Sequence, residues 1–331
     1  MFLKGVKPKK VISIEIKKGK EILSSVVYDF IGDDQTYADS FGKEWNKFPR
    51  VQSDENLKIP TSRRRLENLL GFPLEMLSEK TLLEIGSGAG RFTPLLAKYA
   101  KKVVTTDLSK AIYVNEAIGL KNVTFIRADL NKNILNEKFD VVLCRGVLQH
   151  TPNPNESIKS IFNNASFGAI VVFDIYARPT FRNKLQNWKY FYRFLFKPIP
   201  KKVLENIFNK YGKRIYKVHS YLNSFIRKYF FIKLIIRLIK PFYPYLDVDS
   251  LYPTFNEKQK IEVYCSMLLD AFVCDFDNPR NFKEVVCILS EIGQYPYSYN
   301  EARCMFRVKK RIHKAFTPQI GKDGIFEKND N

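Results

Sequence analysis

An α/β fold with a doubly wound, mostly parallel, Rossmann-like sheet is the architecture the sequence predicts. Short apolar strands alternate with amphipathic stretches from Thr81 to Ala177, and a glycine-rich turn joins the first of these strands to the stretch behind it. Composition agrees. Of 331 residues, 45% are hydrophobic and 27% charged, with 15 Gly and 16 Pro, which excludes collagen-like and disordered classes and supplies a core without staples. The five cysteines form no C-x-x-C pair, so a disulfide scaffold or zinc ribbon is not expected and a reducing cytoplasm fits best. No apolar run approaches the roughly 20 residues that span a bilayer. The formal charge of +21 points to an anionic partner without choosing among membrane, nucleic acid and phosphorylated substrate.

The elements follow in order. In residues 1–75, Val11, Ile12, Ile14 and Ile16 mostly alternate with polar positions, Lys18-Gly19-Lys20 turns, and Ile22 to Val27 returns, giving a hairpin. Tyr37, Phe41, Trp45 and Phe48 then recur at helical spacing behind an Asp, and Arg63 to Leu70 is a further helix. Together these form a helical lid whose aromatic stripe reads first as a packed face and second as substrate contact. Residues 76–178 carry five strands, TLLEIG, KVVTTD, VTFIRAD, FDVVLCRG and GAIVVFDIY, with helices near 90–100, 110–118 and 155–166. Residues 251–312 add helices at 256–269 and Phe282 to Ile292 and two strands, Tyr295 to Tyr299 and Arg303 to Lys309, which complete a seven-stranded sheet; 313–331 is a tail.

Between lies a segment, 179–250, of different composition. Residues 178–245 hold 17 Lys or Arg, one acid (Glu205) and 18 aromatics, so the surplus of charge is local. Within it, Leu222 to Lys240 reads as a helix with Lys233, Arg237 and Lys240 on one side, suited to an anionic lipid interface. A helical cap over a site competes equally, and a nucleic-acid surface ranks third.

The sharpest motif is LLEIGSGAGRFT, residues 82–93. A buried strand turns through Gly86, Gly88 and Gly90 into a helix, where missing side chains let a ligand approach the backbone. The spacing is G-x-G-x-G, not the G-x-G-x-x-G of dinucleotide dehydrogenases, whose third Gly would fall at Arg91. Twenty-one residues beyond Gly86 the next strand ends in Asp107, placed to accept from ribose hydroxyls, and a third strand ends at Asp129.

This series resembles the class I S-adenosylmethionine-dependent methyltransferases over about Lys80 to Tyr176. The resemblance implies S-adenosylmethionine as cofactor. It puts Glu84, Gly86, Ser87, Gly88 and Gly90 by the methionine part, Asp107 on the ribose, Asp129 on the adenine amino group, and Leu108 and Leu130 beside the adenine. FDVVLCRGVLQHTPNP (139–154) is similar to the strand and loop lining the methyl-donor pocket, so Arg145 to His150 would face the sulfonium and acceptor. The run SFGKEWNKFPRVQ resembles a lid of bacterial methyltransferases associated with glycans or specialised metabolites, and Tyr37, Trp45, Arg50 and Gln149 are the candidate acceptor-binding residues. No D/N-P-P-Y or Pro-Cys signature is present.

The resemblance thus implies a methyltransferase acting on a hydroxyl or other nucleophile of a small molecule or glycan, perhaps carried on an anionic lipid. RNA methylation and a non-catalytic scaffold are the alternatives. His150 is the candidate base, since an imidazole suits proton removal near neutrality, with a loop-stabilising hydrogen bond as the equal alternative. Cys144 reads as a buried apolar residue, His219 and His313 have no partners at ligand spacing, and no metal is expected. Arg50, Arg63, Arg64 and Arg65 read first as solvated basic side chains and second as contacts to an anionic acceptor. The expected location is the cytoplasm, or the inner face of the membrane.

Overall fold

The computed structural model describes residues 1–18, 21–39, 54, 61–178, 192–193, 195–196, 198–229, 246–272, 274–311, 319–321 and 324–326. Two compact units emerge: residues 1–36, 64–178 and 276–331 form one, residues 37–63 and 179–275 the other.

The first unit is built on one sheet. Its strands are β1 (Lys10–Lys18), β2 (Glu21–Asp29), β3 (Thr81–Ile85), β4 (Lys102–Asp107), β5 (Val123–Arg127), β6 (Phe139–Cys144), β7 (Ala165–Asp174), β8 (Pro296–Asn300) and β9 (Met305–Lys309). They lie in the order β1-β2-β5-β4-β3-β6-β7-β9-β8. Pairing is parallel from β2 across to β7, and only β1 and β9 run against their neighbours. The chain builds outward from β3 through β4 to β5, then returns to lay β6 on the other side of β3. A switch point of this kind leaves a crevice beyond the strand ends, between β3 and β6.

Strand sequences account for the layering. Leu82 and Leu83, Val103 and Val104, and Val141 and Val142 are consecutive buried pairs whose members fall in opposite core clusters, as a period of two requires when both faces are covered. On one face, helices α1 (Ser62–Leu70) and α2 (Thr93–Tyr99) contribute Leu66, Leu70 and Leu96. On the other, α4 (Pro154–Ser160) and α8 (Phe282–Glu291) contribute Ile158, Val285 and Leu289. Helix α3 (Ala111–Glu116) packs Ile112 on Val27 and Phe125. Asn281 begins α8 with a reciprocal capping box to Glu284.

The sheet has nine strands rather than the seven expected. The N-terminal hairpin is not a separate lid element: β2 joins β5 in parallel through Val27↔Phe125, Tyr28↔Ile126 and Asp29↔Arg127. A buried ion pair closes that seam, with Arg127 Nη1 3.3 Å from Asp29 Oδ2, both side chains 1% exposed. Arg127 Nη1 also donates to the Gly32 carbonyl at 2.6 Å, and Tyr113 Oη donates to Asp29 Oδ2 at 2.6 Å. Near residues 155–166, the helix ends at Ser160 and β7 starts at Ala165. The two C-terminal strands lie where the sequence puts them.

The second unit packs the long helix α5 (Lys201–Lys228) against α6 (Val248–Leu251) and α7 (Glu257–Phe272). Leu204, Phe208 and Tyr216 meet Val263, Tyr264 and Leu268 in its core. Asp249 ties α6 to both neighbours, accepting from Tyr216 Oη at 2.6 Å and Ser220 Oγ at 2.5 Å and pairing with Lys260 Nζ at 3.3 Å. The expected helix from Leu222 to Lys240 is corrected in its first part. Those residues end a helix that starts at Lys201, and Tyr229 is already extended, with φ −114° and ψ 114°. Lys233, Arg237 and Lys240 lie outside the described residues.

Candidate functional site

Three strand ends stand side by side at the switch point. Ile85 pairs with Thr106 and Asp107 with Arg127, so the chain leaves β3, β4 and β5 at one level of the sheet. At about 4.8 Å between neighbouring strands the three exits span ~10 Å, the length of a nucleoside.

The glycine turn is pinned to this edge by its own backbone. Gly86 N and Ser87 N both donate to the Thr106 carbonyl, at 2.7 and 3.2 Å, and Gly90 N donates to the Ser87 carbonyl at 3.1 Å. All three glycines have positive φ, +75° at Gly86, +55° at Gly88 and +85° at Gly90, a region costly to other residues. Space is short as well. A Cβ at Gly86 would lie 2.0 Å from Val147 Cγ2, and one at Gly90 would lie 2.1 Å from Asn115 Oδ1. The turn therefore seats against the loop after β6 on one side and α3 on the other.

Asp107 organises the turn. Its Oδ2 accepts from Gly88 N at 2.8 Å, while Oδ1 accepts from Ser109 N at 2.8 Å and Ser109 Oγ at 2.6 Å. Burial raises its carboxyl above the usual range, opposed by these bonds. Oδ1 already accepts two bonds, but Oδ2 accepts only one, so one lone pair remains for a ligand hydroxyl. Leu108 follows, half-buried, and its carbonyl accepts from Arg127 Nε at 3.2 Å, which connects the hairpin seam to the loop after β4. Asp129 is half-buried and uses Oδ1 to accept from Asn131 N at 2.9 Å. Leu130 packs against the core beside it.

Glu84 lies inside the protein rather than beside open space. Its Oε2 accepts from Thr93 Oγ1 at 2.7 Å and Thr105 Oγ1 at 3.1 Å, and Asn115 Nδ2 donates to Thr93 at 2.8 Å. This chain braces the start of α2 against β3. Burial, opposed by the two threonine bonds and aided by the Asp107 charge, pushes the Glu84 carboxyl up to about 7. Native Glu84 therefore keeps its proton where the unfolded chain has released it. Its contribution to stability is complete below pH 4.5 and is lost as pH rises to 7, about 3 kcal/mol in all. We expect thermal unfolding of the wild type to lose ground to Glu84→Gln between pH 5 and 8; parallel pH profiles would refute this.

The loop after β6 supplies the opposite wall. Arg145 turns to Asp174, with Nε 3.6 Å from Oδ2, and lies over the Phe92 ring at 5.2 Å. Its charge is thus balanced within the protein. Asp174, which the sequence reading missed, ends β7 and accepts from Gly146 N at 2.6 Å; burial raises its carboxyl. Its signal was present, since β4 and β7 both end in an acid. Gln149 is fully buried, and among the described residues neither amide atom has a hydrogen-bond partner. His150 Nδ1 lies 2.9 Å from the Phe276 carbonyl oxygen, and its ring meets Tyr176 edge to face at 5.4 Å. A carbonyl only accepts, so Nδ1 carries the hydrogen and, in the neutral ring, Nε2 is the basic atom.

Of the other acceptor-binding candidates, Tyr37 is half-buried in the second unit, and Trp45 and Arg50 lie outside the described residues. Cys144 is fully buried, and burial drives its thiol far above the usual range. His219 is half-buried, and burial lowers its imidazole; His313 lies outside the described residues. Among the described residues no three His, Cys, Asp or Glu gather as metal ligands.

An open α/β sheet with a tight glycine turn, an acid ending β4 and a second acid two residues past β5 is an arrangement of the Rossmann-like type. The family model for a methyltransferase domain matches residues 61–218, a little under half of this chain. Among curated proteins the chain is 26% identical over 127 residues to the malonyl-[acyl-carrier protein] O-methyltransferase of Bacillus cereus, covering 36% of this chain and 47% of that one. It is 30% identical over 103 residues to the ubiquinone biosynthesis O-methyltransferase of Pseudomonas fluorescens, covering 29% and 44%. With the phosphoethanolamine N-methyltransferase 1 of Triticum aestivum it shares 34% over 121 residues, covering 34% and 24%. The chain therefore spans less than half the length of these relatives. Among solved structures, the N-methyltransferase NodS of Bradyrhizobium japonicum, in complex with S-adenosyl-L-homocysteine, aligns at a TM-score of 0.34 and 22% identity, over 40% of this chain and 74% of that one.

Proposed function

We propose that this protein transfers a methyl group from S-adenosylmethionine to a nucleophilic oxygen of a small molecule or glycan. The observation that carries the reading is the level row of strand ends, where Gly86 to Gly90, Asp107 and Asp129 follow one another across the switch point. The bare turn suits the amino-acid part of the donor, the remaining lone pair of Asp107 Oδ2 suits a ribose hydroxyl, and Asp129, with Oδ1 committed to Asn131, suits its adenine amino group through Oδ2. Four of the six curated relatives are described as O-methyltransferases, which supports oxygen over nitrogen.

When bound, the donor supplies an electrophilic methyl carbon on a positively charged sulfur. The protein's part is to hold donor and acceptor in line and to take up the acceptor's proton. We assign that last task to His150. Its Nδ1–H is fixed by Phe276, so Nε2 receives the hydroxyl proton as the oxygen–carbon bond forms. Arg145, neutralised by Asp174, adds little repulsion toward a cationic donor.

The test incubates the full chain with labelled S-adenosylmethionine and a metabolite extract of the source organism, followed by mass spectrometry. Label on a hydroxyl-derived methyl ether or ester supports the reading, and label on nucleic acid alone overturns it. For His150→Ala we expect kcat to fall about 100-fold, with donor affinity kept. Near wild-type turnover across the pH range would remove His150 as the base.

A further inference from the structure

The longest helix of the second unit has a face that its neighbours do not use. Helix α5 buries Leu204, Phe208, Tyr216 and Ile226, which is the side packed on α6 and α7. A second apolar set, Val203, Ile207, Tyr211, Val218, Tyr221 and Phe225, is exposed. At 100° per residue these six fall within a stripe about 80° wide, which adjoins the buried side on one flank. The most exposed are Tyr221 at 72% and Val218 at 58%. Tyr229 continues the stripe past the helix end, its ring against Phe225 at 4.7 Å.

Charge borders this stripe along one edge. Lys202, Lys210, Lys213, Lys217 and Lys228 are all exposed and occupy the sector next to it, and Arg214 lies within it. Two of the lysines set their ammonium groups over aromatic rings at this edge, Lys210 Nζ 5.1 Å from the centroid of Tyr211 and Lys228 Nζ 5.6 Å from that of Tyr229, so charge and apolar surface meet there. Glu205 is the only acid in the helix. Protein-binding faces are depleted in lysine, whereas an apolar stripe edged by lysines is the pattern of helices lying in a lipid headgroup layer.

We propose that α5 docks this protein on an anionic lipid bilayer, lying in the plane of the surface with the Val203-to-Phe225 stripe in the headgroup boundary and its lysines on acidic headgroups. At 28 residues the helix offers ~42 Å of contact. It binds from one side: among the described residues no helix is long and apolar enough to cross a membrane. This inference is independent of the methyl-transfer reading, because donor binding involves none of these side chains.

Flotation of the full chain with vesicles tests it. Vesicles of phosphatidylcholine containing phosphatidylglycerol should carry the protein upward, pure phosphatidylcholine should not, and added salt should weaken the association. Each reversed charge in Lys210→Glu and Lys213→Glu should reduce partition about fivefold or more, from roughly 1 kcal/mol per basic residue at such a surface. Val218→Glu with Phe225→Glu should abolish it at any salt, with circular dichroism and donor binding kept. Should that pair misfold, Tyr221→Ser alone, at the most exposed stripe position, should still weaken flotation. The proposal is overturned by absence of flotation, by equal flotation of wild type and folded variants, or by equal partition to uncharged vesicles. A self-associated species that Val218→Glu dissolves, or tight RNA binding without vesicle binding, overturns it equally.

Discussion

Gly86→Ala is expected to abolish donor binding. An alanine Cβ would stand 2.0 Å from Val147 Cγ2 while holding φ at +75°, so the added methyl can be accommodated only if the loop after β6 withdraws or the turn changes its backbone. Either movement breaks the hydrogen bonds from Gly86 and Ser87 to Thr106 and displaces the loop that carries Gln149 and His150. Titration with S-adenosylhomocysteine should show affinity reduced by about 100-fold or more, equivalent to ~2.8 kcal/mol. A folded Gly86→Ala protein that binds normally would show that the turn does not approach the ligand.

The second large effect concerns stability. Asp29→Ala should cost about 3–5 kcal/mol in urea unfolding, because it leaves the guanidinium of Arg127 buried without its counter-charge. It also removes the acceptor of Tyr113 Oη and of two backbone N–H groups, Ile31 and Gly32, each 2.8 Å from Oδ1. Burial would raise the Asp29 carboxyl, but these bonds and the Arg127 charge hold it below its ordinary value of 3.8. Its contribution is therefore present above pH 3.8 and lost as pH falls below it. Adding Arg127→Met to Asp29→Ala should recover much of the loss by removing the stranded charge. A cost under ~1 kcal/mol for Asp29→Ala would contradict the account of the seam.

What the residues reveal in advance follows their range of interaction. Five central strands, the glycine turn and the two terminal strands are readable, because each depends on local alternation or on backbone freedom. The hairpin is readable too, but its attachment is not. Val27 pairing with Phe125 joins residues far apart in the chain, and nothing in either segment specifies a parallel neighbour. Arg127 illustrates the same limit. At the end of an apolar strand it resembles a surface cation, yet it is fully buried by an acid contributed from β2. In the site, Asp107 ends β4 as the spacing indicates, and Asp129 lies two residues past the end of β5. The inward turn of Glu84 toward Thr93 and Thr105, and the carbonyl of Phe276 that fixes the His150 ring, depend on side-chain directions and on a segment beyond the basic insertion.

The account rests on a nucleoside held across the ends of β3, β4 and β5, and one titration addresses that directly. Calorimetry of S-adenosylmethionine into the full-length chain, run beside Asp107→Ala, should show one saturable site in the wild type and a large loss of affinity in the variant. A wild-type chain that takes up no S-adenosylmethionine, or an Asp107→Ala chain that binds it unchanged, would contradict the assignment of this edge as the donor site.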